Sequence, residues 1–330
     1  MSNTFTDATQ ALAWVSGQAY TINANVYQTL YPEWDYGRLI YVDSTGPEWT
    51  PGILTYVSNA GIAGRADWQS PASKDVPLAH VGQQAVQREI HLAAIGYDYN
   101  IQEINTTIQI GGSLDMRKAN AARLAYSEFL YRLTLFGDTA KGLGGIANYP
   151  GVITAVAPSD GVGGVSFWVD DTGTGTKTPA QIVRDINSAL SGVGRRTNRR
   201  VLADTILMPP EALEYISSTP FSATTMETVL TFIQRTNLYT MTTGQPLTIR
   251  AVDELSTAGI APAAGTGRLV AYNNSEQYAR LLLPMPHRFL PVYQDGPLSF
   301  TVPGIFRTGG VEVMATETVA YLDGISQLPA

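Results

Sequence analysis

The chain has 330 residues, 44% hydrophobic and 9% aromatic, enough to build a sizeable core in one large or two medium domains. Only 15% are charged, against about 25% in an average globular chain, and the formal net charge is −7. This excludes a protein whose whole surface grips nucleic acid and points to surface buried against something else, copies of the chain included. The absence of cysteine excludes disulfides, thiolate metal sites and cysteine nucleophiles.

The N-terminus lacks the basic and apolar regions of a signal peptide, and no run of about 18 apolar residues exists, so a soluble, intracellularly made chain without a membrane span is expected. Residues 1–45 read as loosely built: a short helix over Ala11–Ala19, then a stretch polar and aromatic by turns that Pro32 breaks. Such a segment suits an arm lying on a neighbouring surface. Residues 46–112 alternate strand-like runs with Gly- and Pro-rich turns. Val86, Arg88, Ile90 and Leu92 alternate with polar positions, as in a half-buried strand. Two long strand legs joined by an open tip are expected, and so long a loop implies function or partner contact.

A long helix follows. Leu114 to Phe136 holds no Gly or Pro and is dominated by good helix formers. Ser113 is placed to cap it, Asp115 suits the dipole of its first turn, and Gly137 suits its end. About 23 residues make a rod of roughly 35 Å. Leu114, Ala121, Leu124, Ala125, Phe129, Leu133 and Phe136 form its apolar stripe, widened by Tyr126, Leu130 and Tyr131. A helix apolar over so much of its girth is expected to be packed on more than one side.

The next stretch, to Pro158, reads as a turn and a β-rich run, and residues 157–177 as a loop. Thr178 and Pro179 open a helix whose Ile182, Ile186 and Leu190 share a face. A buried strand over 201–209, helices over 209–219 and 224–236 and a strand near 246–255 complete an α/β subdomain from about 178 to 260. The remainder is strand and turn, the clearest strands being Arg268–Tyr272, Leu298–Val302 and Val311–Thr316.

No constellation asks for chemistry. His80, His91 and His287 are far apart and carry no ligand spacing. Gly142-x-Gly144-x-x-Ala147 follows a helix and opens a strand, the reverse of a dinucleotide site. Gly173–Thr178 lacks the glycine a phosphate loop needs before its lysine. Asp170 and Asp171 supply two carboxylates where calcium takes about six to eight oxygens. No catalytic, cofactor-binding or metal-binding residue is therefore assigned. Arg195, Arg196, Arg199 and Arg200 form the densest basic cluster. It reads either as a solvated or salt-bridged turn, or as a contact to an acidic neighbouring surface or polyanion backbone.

The order of these pieces, with the phrase Gly137, Asp138, Gly142, Leu143, Gly145, Ile146 after the long helix, the run Gly309 to Val313, and Tyr321-Leu-Asp-Gly-Ile325, resembles the major capsid proteins of tailed bacteriophages over about residues 20–328. The resemblance implies an α+β fold of the Hong Kong 97 type: an N-terminal arm over 1–45, an extended β-hairpin loop over 46–100, a peripheral domain over 101–177 with a spine helix at 113–137, an axial domain over 178–265, and a return to the peripheral domain over 266–330. It implies self-assembly into hexameric and pentameric capsomers of an icosahedral head enclosing double-stranded DNA, bound non-specifically, with scaffolding, portal and decoration proteins as partners, no cofactor and no membrane. The front of the chain lacks the long charged helix that serves some members as a built-in scaffold. That implies a separate scaffolding protein or a segment already cleaved, and Met1 argues against cleavage. The four arginines become intersubunit or interior-facing contacts, and Lys74, the one lysine in the loop, an intersubunit one. An encapsulin-like compartment shell is the nearest alternative; a soluble α/β hydrolase with an unmarked carboxylate pair is the alternative from another class.

Overall fold

The computed structural model describes residues 34–63, 68, 80–100, 103, 114–222 and 224–327. The expected helix over 11–19, Ser113 and Lys74 lie outside them. The chain enters with α1 (Tyr36–Leu39) and β1 (Tyr41–Asp43). Here the expected loose arm gives way to core: Leu39 and Ile40 are buried, β1 pairs in parallel with a strand near residue 280, and the Tyr272 hydroxyl donates to the Leu39 carbonyl. The two strand legs follow as β2 (Gly52–Ala63) and β3 (His80–Glu89), paired antiparallel. The period-two pattern does not run through Leu92. Ile90 breaks the ladder, turns its side chain into the body and donates its N–H to the Pro51 carbonyl at 3.1 Å. The chain then continues as β4 (His91–Ala94) and β5 (Tyr97–Asn100), which pair with other strands.

The long helix, α2 (Leu114–Phe136), has the expected length. Its buried stripe is Ala122, Tyr126, Leu130 and Leu133, while Ala121 and Phe129 are exposed. Tyr126, Leu130 and Leu133 are among the expected apolar positions, and the stripe centres on them rather than on Ala121, Ala125 and Phe129. β6 (Gly137–Asp138), β7 (Leu143–Gly144) and β8 (Thr154–Val156) lead to α3 (Pro179–Arg196). At the start of α3, Gln181 accepts from the backbone and hydroxyl of Thr178 at 2.8 and 2.9 Å. Its Ile182, Ile186, Leu190 and Val193 are buried. Next come β9 (Thr205–Met208), α4 (Pro210–Ser218), β10 (Pro220–Ser222) and β11 (Thr225–Thr228). The expected helix over 224–236 is shorter, α5 (Val229–Thr236). Its first residues form β11, because β-branched threonines disfavour helix and Thr228 serves as cap, its hydroxyl accepting from Thr231 N–H at 3.3 Å. α6 (Leu238–Thr243) and β12 (Thr248–Ala251) close this region.

The remaining strands are β13 (Thr266–Tyr272), β14 (Ala279–Leu282), β15 (Met285–Phe289), β16 (Tyr293–Gly296), β17 (Ser299–Val302), β18 (Gly304–Thr308), β19 (Gly310–Val313) and β20 (Val319–Gln327). The expected strand to Thr316 ends at Val313, before a 3-10 turn over Thr316–Thr318.

A mixed five-stranded sheet, ordered β12-β9-β13-β20-β8, organises the body. Its side chains alternate between two cores, as the strand period requires. Ile206, Met208, Leu269, Ala271, Ala320 and Leu322 meet α3 on one face. Leu207, Val270, Tyr272, Val319 and Tyr321 meet Leu135 and Ile146 on the other, together with β14 and β19. A third cluster packs Tyr126, Leu130 and Leu133 of α2 against Leu143, Leu283 and Phe306. The long helix therefore spans two cores.

Candidate functional site

The end of α2 is built by the phrase that follows it. A helix leaves its last four carbonyls without partners. Here the turn folds back to supply them: Ile146 N–H donates to Thr134 at 2.8 Å, Ala147 N–H to Leu135 at 2.9 Å, and the Asn148 side chain to Phe136 at 2.8 Å. Gly137 reverses the chain with φ +70°. A Cβ on Gly145 would stand 2.1 Å from the Leu135 carbonyl oxygen, so only glycine lets the turn come this close.

The C-terminal phrase locks the same turn. The Tyr321 hydroxyl accepts from Tyr149 N–H and donates to the Ile146 carbonyl, both at 2.8 Å. Burial raises its pKa, so it remains a neutral phenol able to donate. Two residues on, Asp323 receives Nε and Nη2 of Arg268 at 2.6 and 2.8 Å, and Arg268 Nη1 reaches the Ala147 carbonyl at 2.7 Å. This ion pair is buried, which demands that its remaining lone pairs be used; Ile260 N–H donates to Asp323 at 2.9 Å.

Away from this junction lies the root of the β2–β3 hairpin. Arg307 of β18 donates to the carbonyls of Glu48 and Ile90, at 2.9 and 3.4 Å, and lies 5.7 Å from the Trp49 ring centre. Arg88 donates to the Tyr149 hydroxyl at 2.5 Å. Among the described residues β2 and β3 pair with no strand but each other.

The basic cluster ends α3. Arg196 is half-buried and donates to the Val319 carbonyl at 3.0 Å; desolvation lowers its pKa, but a guanidinium starts high enough to stay charged. Arg195, Arg199 and Arg200 are exposed, with no ion pair among the described residues. Asn198 and Arg199 both hold positive φ, 52° and 60°, a backbone that ordinarily suits glycine. Arg195 and Arg196 border a cleft of about 300 Å³, with Ile153 and Ala155, at the start of β8, on its other wall.

A family model of the major capsid protein matches residues 64–325. The chain belongs to the major capsid protein family. Solved structures agree on the fold. The capsid of Myoviridae phage XM1 superposes with a TM-score of 0.73 at 14% identity, covering 98% of this chain and 100% of that one. The capsid of the native GTA particle gives 0.60 at 10% identity, with 96% and 98% covered. A structure from Mycobacterium phage Ogopogo gives 0.55 at 10% identity, with 94% and 98% covered. No curated protein matches the chain. The fold is thus of the Hong Kong 97 type, and the protein is a phage major capsid protein, a structural component of the virion capsid. Neither the compartment-shell nor the hydrolase reading is favoured.

In the capsid protein two of the three phrases that carried the resemblance, 175 positions apart at Ile146 and Tyr321, prove to be in contact. The four arginines do not form one site: Arg196 turns inward and the other three outward. His287 donates its Nε2–H to the Ile95 carbonyl at 3.0 Å within an aromatic cluster. Asp170 accepts from the backbone of Thr172 and Thr174, closing its own loop. Among the described residues no three His, Asp or Glu converge as a metal site, and no helix is long and apolar enough to cross a membrane. Sequence reasoning missed the roles of Arg88 and Arg307 and a buried pair that ties the loop over 157–177 to α3: Lys177 meets Asp185 at 2.7 Å, with Arg184 and Asp160 around them. Only Lys177 beside a helix start hinted at it; the partners are set by tertiary folding.

Proposed function

We propose that this capsid protein assembles as hexameric and pentameric capsomers of an icosahedral phage head enclosing double-stranded DNA, held non-specifically. The hairpin carries the reading. An isolated two-stranded hairpin is marginal in water, so a long one projecting from a folded body is expected to lie on another surface. The low charge of the chain agrees, since capsomer contacts bury much surface. In this reading the arm lies within residues 1–45, ahead of the buried Leu39 and Ile40, and the overreaching loop within 46–100 is the β2–β3 hairpin, while 101–177 and 266–330 make the peripheral domain and 178–265 the axial domain. Exposed Met226, Leu238 and Met241 of the axial segment then meet their copies. Arg195, Arg199 and Arg200, with Lys74 in the loop, contact neighbouring subunits or the interior, while Arg196 braces them from within. Scaffolding, portal and decoration proteins are the further partners, and the protein's work is structural rather than catalytic.

Electron microscopy of the purified protein tests the reading. Closed shells of uniform size are expected, with nuclease-protected DNA in native particles. A monomer or dimer at high concentration would refute it. Deleting residues 55–80 is expected to leave a folded subunit that no longer assembles; loss of folding would refute the overreaching assignment.

A further inference from the structure

We propose that Arg307 and Arg88 are positioning residues that set the direction in which the β2–β3 hairpin leaves the subunit. The inference rests on the reading that this hairpin is the assembly arm. Arg307 sits on the middle strand of the β15-β18-β4 sheet, opposite Met285 and Leu92, and belongs to no hairpin strand. Its guanidinium nevertheless holds both ends of the hairpin. One nitrogen reaches the Glu48 carbonyl at 2.9 Å, four positions before the hairpin begins. Another reaches the Ile90 carbonyl at 3.4 Å, directly after it ends. A planar fork fixes two acceptors at one relative angle, which the point charge of an ammonium does not. Trp49 covers the guanidinium, and the Ile90 N–H to Pro51 bond closes the root.

Arg88 works from the other side. It leaves the hairpin and donates to Tyr149, whose N–H in turn donates to Tyr321. The root is thereby tied both to the peripheral sheet and to the turn that ends α2. Leverage makes this consequential. β2 has 12 residues and spans about 40 Å, so a tilt of about 10° at the root moves the far end by about 7 Å.

The chain has no cysteine, so spin labels can be placed at introduced ones alone. Pulsed spin-resonance distances between Ser58→Cys on the hairpin and Ser217→Cys on α4 report the hairpin's direction in the unassembled subunit. One narrow distance is expected in the parent. Arg307→Lys is expected to widen the distribution about two-fold while the melting temperature of the body stays near the parent value. Trp49→Ala, a change at an exposed residue, widens it in the same sense and carries the test if Arg307→Lys fails to fold. Unchanged widths in the folded variants overturn the proposal, whatever happens to assembly. Widened distances with parental shell yield leave the positioning role standing and remove the assembly-arm reading instead.

Discussion

At the scale of single residues, the charged groups divide by what surrounds them. Asp160 is held well below its ordinary 3.8, at about 2, chiefly by the hydrogen bond from Arg184 and further by Lys177. A carboxyl depressed on folding stabilises above its unfolded value and loses that contribution as the pH falls through its folded one. Asp160→Asn is therefore expected to lower the denaturation midpoint at pH 7, with the gap to the parent closing as the pH approaches 2; a gap that stays constant would refute the pairing. Arg199 poses the opposite question. It holds a left-handed backbone at a cost on the order of 1 kcal/mol and has no ion-pair partner among the described residues. Arg199→Gly is expected to raise stability by up to about 1 kcal/mol in a denaturant titration while lowering particle yield. Higher stability with unchanged yield and DNA content would show the guanidinium has no role in assembly.

At the scale of elements, α2 was legible to the residue because its signals are local: no Gly or Pro inside, glycine at its end. Its buried face was harder to place, since Ala121 and Phe129 are as apolar as Ala122 and Tyr126 and only packing chooses between them. The two hairpin legs were legible from their Gly- and Pro-rich bounds, but the break at Ile90 depends on β18 taking β4 as partner. β11 reads as helix in the sequence because the threonine that caps α5 looks like part of it. The hairpin clamp left no trace at all: residues 48, 90 and 307 meet only in the fold. Gly145 tests how far the end of α2 depends on its turn. Gly145→Ala puts a methyl against the Leu135 carbonyl and must displace the turn that caps the helix. A loss of about 2–4 kcal/mol is expected in denaturant titration, with faster hydrogen exchange at Ile146 and Ala147. An unchanged midpoint would mean the turn can move without loosening the helix.

At the scale of the whole molecule, the body has no layer that stands alone. The five-stranded sheet gives one face to the core under α3 and the other to the core that holds the end of α2. Its strands come from widely separated parts of the chain, at residues 154, 205, 248, 266 and 319 onward. β20 lies between β13 and β8, supplies both cores, and brings the tyrosine and aspartate that lock the turn after α2. It also follows every other described strand. A chain still under synthesis on the ribosome therefore has neither core closed until nearly all of the capsid protein has been made. A chain interrupted before β20 is left with the edges of β13 and β8 unpaired, the kind of open edge that pairs with other chains. Completion of both cores is in this way timed by strand order.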